Sequence, residues 1–126
     1  MTTAKSPRSV QETVQRALAA LERRDIELFA RIDHGAGAKD AGLELGDEKL
    51  LVFGDPRVGT LLMQRDRSIG YELPLRLLVW DADGQTMLGY RPPTELAGEY
   101  HLADRVEVQQ RMGALMQQLV DEIVGE

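Results

Sequence analysis

Cysteine is missing from all 126 residues, which excludes disulfides, thiol catalysis and thiolate metal sites and fits a reducing compartment. Histidine occurs only as His34 and His101, with no paired spacing of the His-x-x-x-His kind, so no metal site is expected. Nor does Asp81-Ala82-Asp83-Gly84 supply one: it is too short for an EF-hand and reads as a hairpin turn. Serine is confined to Ser6, Ser9 and Ser68, none in a nucleophile elbow, which leaves a catalytic triad hard to build. No apolar run approaches the roughly 20 residues that span a bilayer, and the N-terminus lacks an uninterrupted apolar signal core. The expectation is a soluble cytoplasmic protein with no membrane partner. Basic residues are also short, 15 against 21 acidic, for a net charge of −6. That balance argues against nucleic acid, whose binding is driven by counterion release to Lys and Arg.

The residues present describe one globular domain over 1–126, long enough to bury about two-thirds of its unfolded surface. Ser9-Val10-Gln11-Glu12 is a capping box, and Val10, Val14, Ala17, Leu18 and Leu21 then share a helical face. From Ile26 to Ile32 the pattern alternates. Ile26, Leu28, Ala30 and Ile32 face one way and Glu27, Phe29 and Arg31 the other, which predicts a strand. Asp33 to Gly37 reads as a loop, with a helical segment over Ala38–Ala41 that Gly42 ends.

Leu50 to Phe53 and Leu75 to Trp80 are near-continuous apolar runs, as expected of buried strands. The second forms a hairpin with Gln85–Tyr90, and Thr2–Lys5 adds a short strand. Thr60 to Arg65 makes one or two helical turns, and Thr94 caps a short helix to about Tyr100. Asp104 caps a last helix over about 105–124, whose stripe runs from Val108 through Met112 and Met116 to Ile123. Consecutive strands between two long helices indicate an α+β domain, with an antiparallel four- to five-stranded sheet carrying both helices on one face. The other face is then apolar too, with Phe29 and part of each buried strand on it. An uncovered face of that size is unusual for a monomer. The Asp55–Leu73 excursion together with a second subunit is expected to cover it.

The ordered combination Asp33-His34-Gly35-Ala36-Gly37, Leu51-Val52-Phe53-Gly54-Asp55-Pro56, Gly59-Thr60 with Leu62-Met63, and Leu73-Pro74-Leu75 resembles the bacterial and archaeal family catalogued as domain of unknown function 302. The resemblance extends from about Val10 to Leu102. It implies the β-α-β4-α layout of the TATA-box-binding-protein-like group, and it implies dimers. It implies no particular reaction or cofactor. Gly35, Gly37, Gly46-Asp47-Glu48 and Glu72 depart from the usual pattern, and the acidic charge speaks against transferring DNA binding from the fold group.

Two functions follow. The first is a non-catalytic binding or interaction domain forming a homodimer. The second is an enzyme, or a protein binding a small anion or other ligand, in a cleft around His34. The imidazole titrates near neutral pH in a Gly-rich loop, with Asp33, Asp55 and Tyr90 as its candidate catalytic companions. Lys39, Gly54, Gly59 and Thr60 are the candidates for anion or ligand contact through charge or free amides. Beside each stands a structural role: a backbone-bonded loop His, an Asp55 that starts the turn Pro56 fixes, a solvated Lys39, a packed Tyr90. Arg76, inside an apolar strand, is expected to pair with a carboxylate.

Overall fold

The computed structural model describes residues 1–125. Five strands form one antiparallel sheet: β1 (Thr2–Ser6), β2 (Glu27–Asp33), β3 (Glu48–Gly54), β4 (Leu75–Ala82) and β5 (Gln85–Tyr90). Their order across the sheet is β1-β5-β4-β3-β2. Two long helices, α1 (Val10–Arg23) and α4 (Val106–Val124), lie on one face, and the short α2 (His34–Asp40) and α3 (Pro56–Met63) follow β2 and β3. The α+β architecture and the β-α-β4-α order expected from the sequence are both present.

The local chemistry explains most boundaries. Ser9 caps α1, its hydroxyl accepting the Glu12 N–H at 3.1 Å while donating to the Glu12 carboxylate. Asp83 and Gly84 both take positive φ in the β4–β5 turn, the conformation a two-residue hairpin requires. The expected loop at Asp33–Gly37 is instead the first turn of α2. Asp33 caps it by accepting the Ala36 N–H at 2.9 Å, and a Cβ on Gly35 would sit 2.6 Å from the Gly46 carbonyl. Close backbone packing outweighs the poor helix propensity of glycine there. The 94–100 stretch contains a 3₁₀ turn over Pro93–Gly98. Asp104 does not cap α4: Arg65 takes its carboxylate at 2.7 Å, and the helix starts with no side-chain cap.

The core has two parts. Val14, Leu51, Phe53, Leu77, Leu88 and Met116 fill the space between the sheet and the two long helices. A second cluster joins Leu62 and Ile69 to Leu96, Leu102, Val108 and Met112. The 55–73 excursion therefore packs against α4 on the helix side, contrary to the expectation that it covers the other sheet face. It goes there because Leu62 and Ile69 find the apolar N-terminal half of α4.

The facing of β2 also differs from strict alternation. A β-bulge at Phe29 shifts the register between Leu28 and Ala30, so Leu28 opposes the core residue Phe53 while Ala30 opposes Val52. Ala30 and Ile32 thus share the outer face with Leu50, Val52, Leu78 and Trp80. Leu50, Val52, Leu78 and Trp80 stay half-buried, whereas Leu51, Phe53, Leu77 and Val79 on the inner face are all at most 2% exposed. No helix of the described residues is long and apolar enough to cross a membrane.

Candidate functional site

The residues proposed around His34 lie at opposite ends of the sheet. Asp33 opposes Lys49 and Glu27 opposes Gly54. At about 3.3 Å per residue those two ends are roughly 20 Å apart. His34 and Lys39 sit exposed on α2 at the Asp33 end, while Asp55 is at the other. The Asp33 carboxylate is committed to the Ala36 amide and to Lys49 at 3.7 Å. That amide, ahead of the Lys49 charge, holds the carboxyl below the usual carboxylate range. No hydrogen bond to the His34 ring occurs among the described residues, and Asp33 serves as a helix cap.

Tyr90 is in the core. Its side chain is 6% exposed and its hydroxyl lies 3.3 Å from Gln117 Oε1. Burial, helped by the Asp121 charge, pushes the phenol above its ordinary value, which makes it a poor proton donor to a distant imidazole. Asp55 caps α3 by accepting the Arg57 N–H at 2.9 Å, and the Arg57 guanidinium closes on the same carboxylate at 3.1 Å. This side-chain bond, then the amide, lowers the Asp55 pKa. At the start of α3 the Arg57 amide is thus taken by the chain's own carboxylate, and the Val58 and Gly59 amides by the Asp55 carbonyl. Thr60 turns its hydroxyl to the Pro56 carbonyl at 2.6 Å.

What does assemble is a cavity of about 270 Å³ on the helix side, at the Gly54 end of the sheet. Three stretches meet around it: Gly54–Pro56, Leu73–Leu75, and the turn of α4 from Met112 to Leu115. Phe29 joins them because the bulge turns it there, where it packs 3.7 Å from the Cβ position of Gly54. Of the residues singled out from sequence, Gly54, Asp55 and Gly59 line this cavity, while His34, Asp33, Lys39, Thr60 and Tyr90 do not. Much of the motif combination Gly54-Asp55-Pro56 and Leu73-Pro74-Leu75 is therefore wall.

Arg76 was expected to pair with a carboxylate and does not; the paired carboxylate nearby is Glu72. Arg91 reaches the nearly buried Glu72 at 3.0 Å, and the Tyr100 hydroxyl donates to the same carboxylate at 3.3 Å. Arg91 also pairs with Glu95 at 3.6 Å and with Glu99. Only the Arg91–Glu95 spacing of four residues was readable locally. Arg76 has no ion-pair partner among the described residues, because it projects on the open sheet face beside Val52 and water solvates it.

With this geometry established, comparison with known proteins decides the family. A family model described as domain of unknown function DUF302 matches residues 2–119. The chain belongs to the DUF302 family. The match takes in β1 and most of α4, beyond the Val10–Leu102 span that the motifs carried. A crystal structure of an uncharacterized conserved DUF302 protein from Bacillus stearothermophilus superimposes with a TM-score of 0.85 at 19% identity, covering 97% of this chain and 96% of that one. At that identity the likeness concerns the fold. Two proteins named fluoride-specific ion channels are similar in sequence: FluC 1 of Brucella suis and FluC 2 of Brucella melitensis, each 44% identical over 103 residues. Those residues are 81% of this chain, but only 41% and 38% of the two Brucella proteins. The DUF302 chain spans about two-fifths of the length of these curated relatives.

Proposed function

We propose that this DUF302 chain is a non-catalytic interaction domain that pairs with a second copy of itself through the open sheet face. The observation that carries the reading is the composition of that face. Ile32, Leu50, Val52, Leu78, Trp80 and Met87 stand on one side of β2 to β5, opposite the face that carries α1 and α4. Five strands about 4.8 Å apart and some six residues long cover a plane on the order of 500 Å². That is the same order as the ~800 Å² per partner of a standard interface.

Charge placement favours one arrangement. On this face Arg76 stands at one end of β4 and Glu48 at the opposite end of β3, next to Trp80, and neither has an ion-pair partner among the described residues. A two-fold axis lying in the sheet plane and crossing the strands exchanges the ends. Each Arg76 then meets the second copy's Glu48 and the ring of its Trp80, a charge pair and a cation–π contact made twice by one symmetry operation. Fluoride conduction forms no part of this reading, since it belongs to the name of proteins of which the chain spans two-fifths.

The test is mass by sedimentation or light scattering across a dilution series. The wild type is expected to run as a dimer. Arg76→Glu or Glu48→Arg alone should shift it to monomer, and the double variant should restore the dimer. A wild type that stays monomeric at high micromolar concentration refutes the proposal. So do single variants that dimerise like the wild type.

A further inference from the structure

Beside the cavity at Leu73–Leu75 lies a second one of about 260 Å³. Val58, Met112 and Leu115 stand in the walls of both, so the two adjoin along the groove between α3 and α4. Arg111 lines the second part. It is exposed and has no ion-pair partner among the described residues, although the chain as a whole carries an acidic excess.

The walls restrict what can enter. Among the described residues, the only polar side chains lining either cavity are Arg111 and Asp55, and Arg57 already occupies the Asp55 carboxylate. A peptide lying in the groove would leave its amides without partners, which disfavours it strongly. An alkyl chain carries no such groups. Met63 and Met112 can adjust to its shape, their thioether chains being flexible and apolar. The unpaired guanidinium at the far end selects an anion, and its planar fork matches a carboxylate.

From these observations we infer that the α3–α4 groove binds a medium-chain alkyl carboxylate, with its chain under Leu73–Leu75 and its carboxylate on Arg111. The site is on the opposite side of the sheet from the open face, so it works independently of pairing between copies.

Octanoate, decanoate and dodecanoate, titrated below their micelle concentrations and followed by methyl NMR, test this. Binding should shift Val58, Met112 and Leu115, and affinity should rise about three- to fourfold per added methylene until the groove is full. Arg111→Gln should weaken decanoate about three- to fivefold and leave decanol unchanged. Gly59→Leu should abolish binding of both. The fold should survive that change, because a Cβ at Gly59 meets only Leu73 Cδ1 at 3.5 Å and Met63 Cε at 3.9 Å. Arg76→Glu should bind decanoate like the wild type. Affinity independent of chain length, wild-type binding in Gly59→Leu, or no methyl shifts at millimolar decanoate would each overturn the inference. Equal loss of decanoate and decanol in Arg111→Gln would remove the carboxylate from it.

Discussion

Replacing Arg16 by alanine should destabilise the domain by about 2–3 kcal/mol, more than almost any other surface change in the chain. The reason is the C-terminal end of α4. The last carbonyls of a helix have no partners inside it, and α4 has no basic residue in its own last turn. Arg16, from the middle of α1, supplies them. Its Nε donates to the Ile123 carbonyl at 3.0 Å, and its Nη2 donates to Glu122 at 2.9 Å and to Gly125 at 3.2 Å. Arg8 adds bonds to Ile123 at 3.3 Å and Gly125 at 2.8 Å, so it keeps part of the connection when Arg16 is lost.

A hydrogen bond from a charged donor contributes about 1.5–3 kcal/mol net, and a cation at a partly buried helix C-terminus adds up to ~2 kcal/mol. Against this stand the ordering of the arginine side chain, near 2 kcal/mol, and the substitution by Arg8. Counting the fork as one such bond, because Arg8 still holds the Ile123 and Gly125 carbonyls, leaves the 2–3 kcal/mol stated, or a fall of roughly 10 °C in Tm for a chain of this length. Urea unfolding at one fixed protein concentration measures it, with an unchanged m-value as the sign that only stability moved. Arg16→Lys keeps the charge and loses the fork, so it should recover about half. A loss under ~0.5 kcal/mol for alanine, or full recovery by lysine, would refute the clamp as described.

Two further outcomes follow from the same contacts. Asp33, Asp55, Asp66, Asp104 and Glu122 all have lowered pKa values, Glu122 chiefly through the Arg24 side chain. A depressed folded value means stability that is present above the unfolded pKa and lost as pH falls through the folded one. Unfolding followed from pH 7 downward should therefore show stability dropping only below about pH 4.5, and Glu122→Gln should flatten that drop. In the core, Leu51 is fully buried on the interior strand β3, so Leu51→Ala should cost about 2–5 kcal/mol in urea unfolding, with the larger value if helix α1 cannot close on the space.

Spacing along the chain was enough for most elements, because periodicity and caps are local properties. The Ser9 cap, the Asp83-Gly84 turn and the apolar stripe of α4 are each written within a few neighbouring residues. The fold class followed from their order. Two local readings failed for local reasons: a bulge at Phe29 left no mark in the alternating pattern, and glycines concealed the start of α2. The remaining differences are long-range. Nothing near Asp104 shows that Arg65 will take it from the helix end, and nothing near Arg16 points to carbonyls more than 100 positions away. Which side of the sheet received the 55–73 excursion depended on where Leu62 and Ile69 met α4, and that choice created the groove and left the other face open. Periodicity and motif order along the chain were enough for most elements and for the family. Which charges pair, which stay free, and that Asp55 borders a cavity His34 never reaches came from packing alone, because those outcomes depend on distances that chain separation does not set.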